Sequence, residues 1–72
     1  MKILDISKEN CPMTFIKTKL ALEELPYGET LKVIVEKEDI FKNLISTFKE
    51  NNFSIIYTEK EDNFYNIILK KP

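Results

Sequence analysis

The clearest pattern in the chain lies in its second half. After Glu38 and Asp39, apolar residues recur at Ile40, Phe41, Leu44, Ile45 and Phe48, which share one arc at about 100° per residue. Lys42, Asn43, Ser46, Thr47, Lys49 and Glu50 fill the other side. The two leading carboxylates suit the positive end of a helix dipole, and Asn51-Asn52 is a natural stop because asparagine tolerates the left-handed conformation. Residues 29–36 instead alternate, with Leu31, Val33 and Val35 on one side and Thr30, Lys32, Ile34 and Glu36 on the other, which predicts a strand. Residues 2–6, 53–59 and 64–70 read as three further strands, the last two joined by a hairpin loop at 60–63.

The first helix is expected over residues 12–25. Pro12 suits the first helical position, where a missing N–H costs nothing, and Pro26 restricts the residue before it. Tyr27-Gly28 makes the following turn, and residues 7–11 form the loop that leads in. The resulting order is β-α-β-α-β-β. With two strand–helix–strand crossovers and one hairpin, the expected architecture is an α/β (α+β) two-layer sandwich, with two helices on one face of a mixed four-stranded sheet.

The first helix carries one apolar stripe more than this architecture needs. Phe15, Thr18, Ala21, Leu22 and Leu25 form an arc suited to the sheet, while Met13, Ile16 and Leu20 form a second stripe about 180° away. Two readings stand. Either the second helix covers part of that stripe, or the residues are simply scattered on the surface; alternatively they form a docking ridge for a protein partner.

Composition narrows the choice of chemistry. Seventy-two residues make one small domain, 1–72, with little room for a deep pocket. Twelve acidic residues against 11 basic ones, with a pI near 5.4, give no broad basic face for nucleic acid. Stable nucleic-acid binding is therefore not expected, although Tyr27, Tyr57 and Tyr65 are candidates for stacking. The N-terminus has no signal-peptide pattern and no segment reaches membrane-span length, so the expected compartment is a reducing cytoplasm without membrane association. There is no histidine and only one cysteine, so neither a Cys-His or Ser-His-Asp site nor a mononuclear zinc site of finger type can be built. No metal or other cofactor is expected.

Any covalent chemistry falls to Cys11. The bland reading is a small, inert, buried thiol. The other reading places it as N-cap of the first helix, where unpaired N–H groups and the dipole favour the thiolate. Pro12, Met13 and Thr14 then shape the helix start around the sulfur, and Lys17 and Lys19 add positive field or meet a partner. On this geometry the Thr14 amide is a donor to the Cys11 side chain. Hydrogen bonds to charged groups contribute about 1.5–3 kcal/mol and about 1.4 kcal/mol corresponds to one pKa unit, so Thr14 is expected to lower the Cys11 pKa relative to a proline there.

The runs LDISKENCPMTFIKTKLALEEL and PYGETLKVIV, with a closing strand YNIILKK, resemble the TusA/SirA-like family of small sulfur carriers over essentially the whole chain. Cys11, Pro12, Lys17, Thr18, Lys19, Ala21 and Leu22 match the family pattern. The resemblance implies a sulfurtransferase component whose Cys11 carries a persulfide, received from a cysteine desulfurase or other sulfur donor and passed to an acceptor protein. The endpoints it implies are tRNA thiolation, molybdenum-cofactor synthesis or dissimilatory sulfur pathways. Three positions depart from the pattern. Thr14 replaces the second proline of Cys-Pro-x-Pro, Lys8-Glu9 replaces Gly-Leu, and Glu38-Asp39 replaces Asp-Pro. The competing function is a non-catalytic interaction or regulatory module that docks through Met13, Ile16 and Leu20.

Overall fold

A computed structural model describes residues 1–10 and 13–71 of the chain. Its elements follow the expected order: β1 (Lys2–Asp5), α1 (Met13–Glu23), β2 (Thr30–Val35), α2 (Glu38–Glu50), β3 (Ser54–Glu61) and β4 (Phe64–Lys70). The four strands form one sheet in the order β1-β2-β4-β3. β1 runs parallel to β2, and β4 runs antiparallel to both β2 and β3. The second crossover therefore links strands that point the same way but are separated by β4.

This arrangement follows from the apolar pattern. Leu31, Val33 and Val35 of β2 are fully buried, and Val33 and Leu31 sit opposite Ile67 and Leu69 of β4. Leu22 of α1, Leu44 and Phe48 of α2, and Ile6 close over that side of the sheet. The remaining arc of α2, Ile40, Phe41 and Ile45, packs against the same core half-buried. Phe48 has no exposed surface and its ring stands 5.1 Å from Phe53 and 6.2 Å from Phe15, an aromatic cluster that joins both helices to the start of β3.

The larger differences from expectation lie at the end of α1 and in β3, and each has a local reason. α1 ends at Glu23 instead of residue 25, and the Leu25 amide turns back to the Leu22 carbonyl at 3.2 Å. That tighter i,i+3 turn is the usual way a helix stops before a residue held extended by proline. β3 runs on to Glu61, so the hairpin turn shrinks from 60–63 to Asp62-Asn63, with Asp62 at φ 33°. Two-residue turns with positive φ match the twist of antiparallel strands, and aspartate tolerates that region. β3 also carries an irregularity, since Ile55 pairs with Leu69 and Tyr57 with Ile68, leaving Ile56 as the extra residue of a bulge.

Other turns behave as their residues dictate. Gly28 sits at φ 84°, where only glycine is unstrained, and Asn52 holds φ 61° after α2. The Lys71 amide donates to the Glu29 carbonyl at 2.8 Å and the Gly28 amide to the Lys71 carbonyl at 3.1 Å, tying the end of β4 to this turn.

Candidate functional site

Because β1, β2 and β3 point the same way, the loop 7–10, the Glu36-Lys37 connection and the hairpin turn share one end of the sheet. Loop 7–10 leads directly into Cys11. Cys11 and Pro12 lie outside the described residues, and so does the expectation that Cys11 caps the helix.

The loop on their N-terminal side is tightly braced. The Ser7 amide donates to Asp5 Oδ1 at 2.9 Å, and the Glu9 amide donates to the Ile6 carbonyl at 3.0 Å. Hydrogen bonds from the Ser7 side chain and amide, with the nearby Lys8 charge, hold the Asp5 carboxyl below the ordinary aspartate value. Glu9 then reaches across to α1, where its carboxylate accepts from the Lys17 ammonium. Lys17 is thus half-buried and already paired. Nothing in the sequence spacing marks this contact, because a loop residue and a helix residue eight apart follow no fixed pairing rule.

Thr14 lies beneath this arrangement with no exposed surface. Its amide donates to the Asn10 carbonyl at 3.3 Å, an i,i+4 helical bond. The bond expected from this amide to the Cys11 side chain lies outside the described residues. Thr18, also fully buried, returns its hydroxyl to the Thr14 carbonyl at 2.8 Å, which is how a hydroxyl on the inner face of a helix is satisfied. Thr14, Thr18 and Leu22 form the buried stripe of α1 at i,i+4 spacing, with Phe15 and Ala21 half-buried beside it. Thr14 was missing from the apolar arc because its polarity hid its place in the helical period.

The second stripe is open. Met13, Ile16 and Leu20 are 44%, 41% and 54% exposed, so α2 does not cover them. Lys19 is exposed on another flank, lining a hollow of about 200 Å³ with Leu22, Asn51, Phe53 and Lys71. The structure therefore groups Met13, Ile16 and Leu20, sets Thr14 under them, pairs Lys17 with Glu9, and turns Lys19 away. Among the described residues, no three His, Cys, Asp or Glu side chains are grouped to hold a metal ion.

This two-layer sandwich is shared with a SirA-like protein of known structure. The crystal structure of the SirA-like protein from Desulfitobacterium hafniense superposes with a TM-score of 0.78 at 25% identity, covering 97% of this chain and 96% of that one. Residues 2–71 match the family described as sulfurtransferase TusA. A candidate sulfur carrier protein of Methanocaldococcus jannaschii is 39% identical over 72 residues, spanning 99% of this chain and 95% of its own length. A second, from Archaeoglobus fulgidus, is 37% identical over 71 residues, spanning 97% and 81% respectively. The chain belongs to the TusA sulfurtransferase family.

Proposed function

We propose that this protein is a sulfur carrier in which Cys11 holds the transferred sulfur as a persulfide. The observation that carries the reading is the uncovered ridge of Met13, Ile16 and Leu20 on the helix that follows Cys11, in a chain of the TusA family. A carrier with no deep cavity needs a surface on which donor and acceptor proteins can seat beside the thiol.

The transfer needs no cofactor and no external oxidant. The Cys11 thiolate attacks the terminal sulfur of a persulfide on a cysteine desulfurase or other sulfur donor protein. The donor S–S bond breaks, its electron pair leaves with the donor thiolate, and a new S–S bond forms on Cys11. The acceptor thiolate repeats the step in the forward direction and regenerates the Cys11 thiolate. Pro12, Met13 and Thr14 set the helix start, and Lys17, held by Glu9, and Lys19 contact partners. tRNA thiolation or another branch of sulfur metabolism receives the sulfur in the cytoplasm, and residues 1–72 act as one TusA/SirA-like domain.

Incubation with a cysteine desulfurase and free cysteine should increase the mass of the chain by one sulfur atom, and the increase should disappear in Cys11→Ser. A chain that stays unmodified while an active carrier is loaded by the same enzyme overturns the reading. The same exposed ridge also fits a non-catalytic docking module. In that case Cys11→Ser would keep partner binding and cellular function, whereas a carrier loses function.

A further inference from the structure

The side of the sheet away from both helices carries another hollow, near the end shared by loop 7–10 and the hairpin turn. Register sets Asp5 of β1, Ile34 of β2 and Asn66 of β4 side by side, and the Glu61–Phe64 pair of β3 and β4 lies next along the strands. With Lys32, two residues before Ile34, these groups line a volume of about 200 Å³. Ile34 is half-buried and Phe64 is 41% exposed, so the hollow has apolar surface as well as charge.

Asn66 is 2% exposed, and an amide buried to that degree costs free energy unless it is hydrogen-bonded. Its Nδ2 donates to Glu61 Oε1 at 3.1 Å, whereas among the described residues no group donates to its Oδ1. That oxygen is not sealed inside the protein, so it opens on the hollow that Asn66 lines. The charges around the same space are of both signs and stand apart. Lys32, Asp5 and Glu61 all line it, yet among the described residues none of the three makes an ion pair. Strand geometry sets Lys32 about 7 Å along β2 from the row of Asp5, Ile34 and Asn66.

We propose that this hollow binds a small zwitterionic amino acid, with its ammonium among the Asp5 and Glu61 carboxylates and the Asn66 carbonyl, its carboxylate at Lys32, and an apolar side chain against Ile34 and Phe64. A primary ammonium brings three N–H donors and no acceptor, which suits a set of two carboxylates and one amide oxygen. A simple cation would leave Lys32 facing like charge, and a simple anion would face two carboxylates. A ligand that carries both charges on one carbon satisfies the two poles together, and charge-assisted hydrogen bonds form at each. The apolar side chain then covers surface that the charged groups leave open. The Met13–Ile16–Leu20 ridge takes no part, so the inference stands apart from the sulfur-carrier reading.

Titration of the isotope-labelled full chain with L-valine, followed by backbone amide NMR shifts at neutral pH and constant ionic strength, tests the proposal. Saturable shifts are expected at Asp5, Lys32, Ile34, Glu61 and Asn66, with a dissociation constant on the order of 1 mM, the scale open to a ligand of so few atoms. L-valinamide, which lacks the carboxylate, and isovalerate, which lacks the ammonium, should each bind about tenfold more weakly or less. Lys32→Gln should weaken L-valine about tenfold and leave L-valinamide unchanged, whereas Glu61→Gln should weaken both. Glutamine at 61 keeps an acceptor for Asn66, and circular dichroism confirms folding of each variant. No saturable shift up to about 50 mM L-valine, equal affinity for the three compounds, or L-valine binding indifferent to both substitutions would overturn it. None of these outcomes bears on the mass increase expected at Cys11, so the two readings fail separately.

Discussion

Glu9 and Lys17 form an ion pair that joins the loop before Cys11 to the second turn of α1. The pair ties the loop to the helix and also neutralises one of the two ammonium groups the sequence offers to the thiol. Lys17 therefore acts in tandem with Glu9 and not as an independent positive charge.

The first prediction separates these charges. Glu9→Gln leaves the Lys17 charge uncompensated and should lower the Cys11 pKa by about half a unit; Lys17→Met leaves the carboxylate and should raise it by a similar amount. The double variant should return close to wild type. The pH dependence of thiol alkylation by a small haloacetamide reads all three. Equal pKa values in the two single variants would show that the pair lies outside electrostatic reach of the sulfur.

Leu20 tests the ridge. It is 54% exposed, so Leu20→Asp should change folding stability by no more than about 0.5 kcal/mol. Alkylation of Cys11 by a small reagent should be unaffected, while the rate of persulfide loading by a desulfurase at limiting carrier should fall about tenfold or more. A loading rate equal to wild type would remove Leu20 from the partner surface.

The Asp5–Ser7 contact predicts a pH effect. Asp5 has its carboxyl held below the ordinary 3.8, so the folded state binds its proton less readily than the unfolded chain. The stability it contributes is fully present above 3.8 and is lost as pH falls through the lower folded value. Urea unfolding should show wild type more stable than Asp5→Asn at neutral pH, with the gap closing as pH falls below 3.8 and through the lower folded value. A gap that does not change with pH would mean the aspartate charge plays no part.

Gly28 isolates a pure backbone term. No atom lies within 4 Å of the position a Cβ would take, yet φ is 84°. Gly28→Ala should therefore destabilise by about 1 kcal/mol through strain alone, measured by chemical denaturation. Gly28→Asn should recover part of that loss, because asparagine tolerates positive φ better than alanine. No loss in Gly28→Ala would show that the turn relaxes to another conformation.

Much of this architecture was legible in the residues. The arc of Ile40, Phe41, Leu44, Ile45 and Phe48 found its core, the Leu31/Val33/Val35 alternation found its buried face, and Asn52 took the left-handed conformation expected of it. What escaped reading was of two kinds. Thr14 is a polar residue used as core beside Thr18, which the arc suited to the sheet already held, and the Thr18 hydroxyl bonds back to the Thr14 carbonyl within the helix. The Glu9–Lys17 pair joins a loop to a helix, and its existence depends on how the loop is folded by Asp5 and Ser7. Helical spacing made Met13, Ile16 and Leu20 legible as a second stripe, but its openness depended on where α2 came to rest.

Among the described strands, β4 follows the other three in sequence and alone has two antiparallel neighbours. On a translating ribosome, β2 and β3 are both made before the strand that lies between them exists. Until residues 64–70 emerge, β3 has no hydrogen-bonding partner and Leu31 and Val33 have no Leu69 and Ile67 opposite them. The sheet therefore closes only once its central antiparallel strand is available, and until then the growing chain presents two unfilled strand edges to any chaperone that meets it.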